Sequence, residues 1–294
     1  MSKIKIITDS GSDITQERAT ALGIRVIPIS FTFDGETYYK EGMEMAVDAF
    51  YDKLRNSETT PKTTQVTPIE FTDVFNEEYD NGYDNLIVVT ISSNGSGMNQ
   101  NARMAAAEVM DERGGEITVI DSMGFSSIYG APVIHAANML KDGKTKDEIV
   151  AYLEDVLPTM KAYFLVDDLL HLKKGGRINS ATLVIANMLD IKPVLTIKDG
   201  VVVQKDKLRG NKKVLKKLVD NAVDDDYDFN GKSILIPFSG SKERAEELKE
   251  VFNDNFENTK LFDYQLGAVI ACHGGPGLTG FVFSEKYDFF DYEG

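Results

Sequence analysis

Cysteine occurs once and histidine three times in this chain of 294 residues. The lone Cys272 excludes an internal disulfide framework and a multi-cysteine metal site, and is expected to be buried filler. None of His135, His171 and His273 falls in H-x-x-x-H or H-E-x-x-H, so a helical zinc pair is absent and no metal or cofactor is expected. Uncharged apolar runs of about 18 residues are also missing, and "MSKIKIITDS" leads from lysines straight into a strand, unlike a signal peptide. A cytoplasmic protein is the expectation. Basic residues are outnumbered, leaving a net charge of −15, which disfavours nonspecific attraction to nucleic acid and allows at most transient contact with an anionic membrane.

One segment departs from that balance. Lys173 to Lys217 carries twelve Lys and Arg against Asp190, Asp199 and Asp206, a local charge of +9. Two readings stay open: a solvated helix face, since "NKKVLKKLVDN" sets Lys opposite Val and Leu, or a docking surface for an acidic partner or phosphorylated ligand.

Strand and helix signals alternate along the chain. "IKIIT" and "IRVIPISFTF" read as strands around the helix "ITQERATALG", and "NLIVVTI" and "EITVID" as strands around a helix over 99–111. Such βαβ units build a mainly parallel sheet flanked by helices. Capping boxes mark helix starts at Thr67-Pro-Ile-Glu70 and Thr145-Lys-Asp-Glu148. A boundary near Leu157-Pro158 divides an N-terminal α/β domain (1–157) from a C-terminal α/β domain (158–294). The second domain runs through "AYFLV", "IKPVLTI", "VVVQ", "SILIPF", "KLFDY" and "GFVF", with Asp199-Gly200 turning a hairpin, and is therefore mixed.

Familiar catalytic motifs fail on inspection. Gly231-Lys232-Ser233 lacks the first glycine of a phosphate-cradling loop, and Gly275 to Gly280 fits G-x-G-x-x-G but is followed by 14 residues, too few for a dinucleotide site. Asp9-Ser10-Gly11-Ser12-Asp13 reads as a turn and helix cap in preference to a phosphotransfer site. A Ser96, His273 and Asp9 triad is conceivable, but Ser96 is outside G-x-S-x-G. What is plentiful is hydroxyl: Thr63 and Thr64 in "TPKTTQVTP", and Ser92, Ser93 and Ser96 in the loop that ends "NLIVVTISSNGSG". Neutral hydroxyls with the N–H groups of a helix start can hold a carboxylate without a buried cation. His273, in "ACHGGPGLTG", sits where glycines let the backbone approach a ligand.

Nine segments, "ITDSGSDIT", "VIPISFTFDGETYYKEG", "PKTTQVTP", "ISSNGSGMNQNA", "VIDS", "LKKGGRIN", "IKPVLTIKDG", "KLRGNKK" and "CHGGPGLTGF", run in order over almost the whole chain, which thereby resembles the DegV family of fatty-acid-binding proteins. The resemblance implies two α/β domains enclosing one long-chain fatty acid in an apolar tunnel between them. It assigns the carboxylate to Thr63 and Ser96, with Ser93 and Gly97 adjacent and His273 nearby. It implies a non-catalytic carrier, the lipid-bearing subunit of a fatty acid kinase, which presents the carboxylate to an ATP-binding partner that makes acyl-phosphate for phospholipid synthesis. Arg177 and Arg209 would lie at the head-group entrance and the docking face. Lipid storage or sensing without a kinase, and a Ser/His hydrolase or phosphotransferase, are the alternatives. Thr64, Val66, Gly95 and Met98 depart from the family pattern and bear on chain length and head-group geometry.

Overall fold

The computed structural model describes residues 3–167, 169–178, 191–209 and 213–289. Its first half alternates as the periodicity predicts: β1 (Ile4–Asp9), α1 (Gln16–Leu22), β2 (Arg25–Ile27), β3 (Ser30–Thr32), β4 (Tyr38–Lys40), α2 (Val47–Asn56), β5 (Lys62–Thr63), α3 (Pro68–Asp80), β6 (Asn85–Thr90), α4 (Met98–Arg113), β7 (Glu116–Asp121), α5 (Ser127–Lys141) and α6 (Lys146–Val156). Four of these strands form a wholly parallel sheet in the order β2-β1-β6-β7. Buried Leu86 to Val89 show why the middle of β6 is an unbroken apolar run: helices leave neither face of such a sheet to water. Both capping boxes form, Thr67 with Glu70 and Thr145 with Glu148.

The segment "IRVIPISFTF" is not the single strand its composition predicts. Pro28 offers no N–H to a ladder, and the N–H of Ile29 goes to Ser10 Oγ at 3.0 Å. The chain therefore leaves the parallel sheet after β2 and enters a small antiparallel one, β4-β3-β5, where Phe31 pairs with Thr63.

Beyond a single turn at Leu157–Thr159 come β8 (Met160–Leu165), α7 (Leu170–Gly175), β9 (Ile191–Lys198), β10 (Val201–Arg209), α8 (Val214–Val223), β11 (Ser233–Phe238), α9 (Glu243–Asn255), β12 (Lys260–Gln265), α10 (Ala268–Gly274) and β13 (Thr279–Ser284). They build a mixed sheet, β10-β9-β8-β13-β11-β12, in which β11 and β12 are parallel. Positive φ at Asp199 and Gly200 makes the expected tight hairpin turn.

One apolar cluster runs from Ile6 and Val88 in the first sheet to Phe164, Leu195 and Val282 in the second, so the two halves share a core. A second core, rich in Phe229, Phe252 and Phe281, lies on the other face of the mixed sheet. Cys272 is buried filler in a third, with Phe31, Phe50 and Tyr51. Among the described residues, no helix is long and apolar enough to cross a membrane.

Candidate functional site

Where the two sheets face each other, a cavity of about 290 Å³ opens inside the shared core. Its wall is apolar over most of its area, with Ile91, Phe125 and Ile128 from the first half and Phe164, Val202 and Val282 from the second. Polar side chains interrupt it at a few places: Thr63, Ser96, Arg177 and His273 form one group, and Ser126 and Tyr264 another.

The first group is connected. Thr63 Oγ1, at the end of β5, lies 2.9 Å from His273 Nε2 on α10. The other ring nitrogen, Nδ1, is buried with no partner and faces Gly175, where an added Cβ would fall 2.3 Å from it. Only glycine permits that approach. The Gly175 carbonyl accepts Arg177 Nη1 at 2.5 Å, and Arg177 Nε donates to the Gly95 carbonyl at 2.9 Å. Gly95 precedes Ser96, so the chain of contacts closes from Thr63 to the serine loop. Burial, with Arg177 and His171 nearby, lowers the pKa of His273 to about 4 and keeps its ring neutral at pH 7. Burial also lowers that of Arg177. A buried orphan acceptor is easier to tolerate than an orphan N–H, which favours the tautomer protonated on Nε2. His273 then donates to Thr63 and leaves the threonine hydroxyl proton free for an anion.

The same Thr63, Arg177 and His273 also border an outer cleft of about 640 Å³ with Lys62, Lys174, Asp34 and Glu58. The polar group thus stands between an apolar interior and a charged exterior. Its chemistry suits an amphiphile with an anionic head and a hydrocarbon tail.

The serine loop is held from outside by the hairpin turn. Ser92 Oγ donates to the Gly200 carbonyl at 2.7 Å and Asn94 Nδ2 to that of Asp199 at 2.8 Å. Ser96 lines the cavity; Ser93 does not, being exposed in a shallow outer groove with Gly97, Arg103 and Met104. Gly97 is the N-cap of α4 and abuts Gln65, whose Oε1 an added Cβ would meet at 2.5 Å. Of the departures from the family pattern, Thr64, Gly95 and Met98 line the cavity, and Val66 is buried in the shared core.

Arg177 and Arg209 do not share a site. Arg177 belongs to the cavity wall and precedes Ile178, which bridges Val202. Arg209 is exposed at the far end of the same strand, about 23 Å on at 3.3 Å per residue. The basic run around them crosses residues 179–190 and 210–212, outside the described residues, and part of it is paired: Lys192 with Asp167, Lys205 with Asp225, Lys216 with Asp220.

No Ser96-His273-Asp9 relay is assembled. Both Asp9 oxygens are engaged, by Tyr129, Gly11 and Ile91, and His273 turns Nε2 to Thr63. Tyr264 and Ser126 were not predicted as lining residues. Their hydroxyls meet at 2.7 Å across 138 residues of sequence, a juxtaposition that no local pattern encodes.

Residues 3–286 match the family described as "Uncharacterised protein, DegV family". A DegV domain-containing protein of Caldanaerobacter subterraneus subsp. tengcongensis is 34% identical over 286 residues, covering 97% of this chain and all of that one. Among solved structures, a DegV family protein from Thermus thermophilus, described for its fatty acid binding, is 31% identical with a TM-score of 0.85 over 96% of this chain and 99% of its own. A stearic acid-binding protein from Eubacterium ventriosum is 27% identical, with a TM-score of 0.81 over 97% and 99%. The fold is the one these structures share. With its sequence matched almost from end to end and its two sheets arranged as in those neighbours, this chain belongs to the DegV family.

Proposed function

We propose that this protein binds one long-chain fatty acid in the cavity, holds its carboxylate at Thr63 and Ser96, and presents it to an ATP-dependent kinase partner that forms the acyl-phosphate. The observation that carries this reading is the connected group of Thr63, His273, Arg177 and the Ser96 loop, set between an apolar cavity and a charged cleft. The binding properties of the solved relatives support it. Burying about 14 methylenes at ~0.8 kcal/mol each yields on the order of 11 kcal/mol before ordering costs, so the polar group need supply orientation more than affinity.

Each residue then has a task. Neutral His273 donates to Thr63 and turns its hydroxyl proton toward the ligand. Ser96 supplies a second donor, and the Arg177 guanidinium offsets the carboxylate charge without being spent on a surface ion pair. No general base is required of this chain, because the ligand is already an oxyanion: its oxygen attacks the terminal phosphorus of ATP on the partner, and ADP leaves. The carrier itself is non-catalytic in this reading.

Organic extracts of the purified protein analysed by mass spectrometry are expected to contain one long-chain acyl group per chain. Thr63→Val and Ser96→Ala should each weaken fatty-acid binding by about 1–3 kcal/mol, the cost of removing a partner from a buried charged group. Protein that neither carries nor takes up oleate or palmitate defeats the proposal. Uptake of lipid without ATP-dependent phosphorylation by any kinase partner reduces it to storage or sensing, and turnover by the isolated chain makes it an enzyme.

A further inference from the structure

Beside the carboxylate-binding group lies a second polar cluster that the proposed function does not use. Asp13 Oδ1 accepts the N–H of Gly267 at 2.9 Å, and Glu41 Oε1 accepts that of Val269 at 2.8 Å. These N–H groups start α10, whose N-cap Gly267 has no side chain to cap it and whose last turn carries His273. The two carboxyl groups meet across the bare Cα of Gly267: an added Cβ would stand 2.5 Å from Glu41 Oε1 and 2.7 Å from Asp13 Oδ1. Those oxygens are therefore no more than about 5 Å apart, close enough for like charges to couple strongly. Glu41 Oε2 is buried without a partner. Asp13 Oδ2 receives the Ser126 hydroxyl, which in turn touches Tyr264 on the cavity wall.

We propose that Asp13 and Glu41 are positioning residues for the carboxylate site: they hold the first N–H groups of α10 and so set His273 against Thr63 at the other end of that helix. The inference rests on the fatty-acid reading of that site. His273 lies six positions on from Gly267, about 9 Å at 1.5 Å per residue, and a short helix fixed at its start transmits any tilt to its end.

The charged and titratable groups facing the pair come from every element around it: Asp9 on β1, Tyr51 on α2, Tyr129 on α5, Tyr264 on β12 and Cys272 on α10 itself. None is a cation. Two carboxylates so placed retain a proton between them, and burial pushes Asp13 up to about 7 and Glu41 up to about 8. When that proton leaves, repulsion parts the two groups on which α10 is hung. Fatty-acid affinity therefore falls as pH rises through this range.

The test uses the full chain, delipidated, with cis-parinaric acid as fluorescent probe, from pH 6 to 9. For wild type, Kd is expected to rise by up to about tenfold per pH unit above the pair's titration, the limit for one linked proton. Glu41→Gln keeps the acceptor for Val269 but cannot ionise, so its profile should stay within about twofold over the same range, with the ligand's own ionisation serving as the shared baseline. Identical profiles for the two proteins overturn the proposal. A second readout is independent of lipid: the ¹⁵N shifts of the His273 ring, assigned with His273→Gln. Glu41→Ala is expected to move them toward tautomer averaging, whereas Glu41→Gln keeps the wild-type pattern. If no protein binds the probe at any pH, the fatty-acid reading fails, and the ring shifts still decide the positioning role: no change in Glu41→Ala refutes it.

Discussion

His273 combines a hydrogen bond on one nitrogen with an orphan on the other, and both follow from its being buried neutral. Its pKa in the folded protein, about 4, lies below the 6.5 of a free imidazole, so the unfolded chain takes up the proton first. The stability it contributes is complete above pH 6.5 and is lost as pH falls through 4. Asp13 and Glu41 act in the opposite sense, since their raised values favour the folded state most at low pH and withdraw that support as pH climbs to 7 and 8. A difference measurement separates the two. Between pH 7 and 4.5, wild type should lose about 2–3 kcal/mol relative to His273→Gln, read from urea midpoints, because both proteins keep the same carboxylates. Parallel midpoints would mean that the folded imidazole takes up its proton as readily as the unfolded one. At this scale the sequence was legible where chemistry is local: hydroxyls and glycines brought forward Thr63, Thr64, Ser92, Ser93, Ser96 and His273, the family resemblance narrowed them to Thr63, Ser96 and His273, and these three do line one cavity. It was opaque where partners are remote, as for Asp13 and Gly267, which are 254 residues apart yet bonded. The acidic turn Asp9 to Asp13 read as a cap, and Asp9 does accept the Gly11 N–H, but its larger role is to receive groups from elsewhere in the fold.

Helix α10 is seven residues long, too short to stand on propensity, and is fixed by what receives its ends. Gly267 is therefore more than a break in a strand-to-helix corner. Gly267→Ala would drive a methyl into two buried carboxyl oxygens and should cost about 1–3 kcal/mol of stability, with a larger proportional loss of fatty-acid binding than an overpacking change elsewhere. Thermal melts and lipid titration on the same preparation check this; a variant that melts earlier yet binds as wild type would separate the helix from the site. Most other elements were readable because their signals are periodic or capped, as with Thr67 and Thr145. The corner at Pro28 and Ile29 was not, since an unbroken apolar run hides the point where a side chain, Ser10, replaces a neighbouring strand as hydrogen-bond acceptor. Likewise the hairpin turn at Asp199-Gly200 was evident, while its service as a brace for the serine loop was visible only once the two halves had come together.

Taken as a whole molecule, the protein sets Arg177 in the cavity wall and Arg209 on an exposed strand end, two places that a run of basic residues suggested were one. Arg177→Glu places a carboxylate in the cavity wall and should weaken fatty-acid binding by tenfold or more, by like-charge repulsion at a partly buried site. Arg209→Glu, on an exposed strand end, should leave lipid affinity within about twofold and slow partner-dependent phosphorylation, with the difference from wild type shrinking at high salt. Titrating lipid and kinase separately distinguishes them. Equal loss of lipid binding in both variants would contradict the separation seen in the fold.

The order of strands in the mixed sheet also governs how the protein is made. Strand β13 comes last among the described strands yet lies between β8 and β11, and it supplies Val282 to the cavity wall. On the ribosome, β8 with the β9–β10 hairpin and the β11–β12 pair emerge as two unjoined pieces, each with an open edge. The cavity between the sheets is closed only when residues 279–284 slide between them. Vectorial synthesis thus makes the cavity the final product of folding, and a nascent chain stalled before β13 has no enclosed interior between its two sheets.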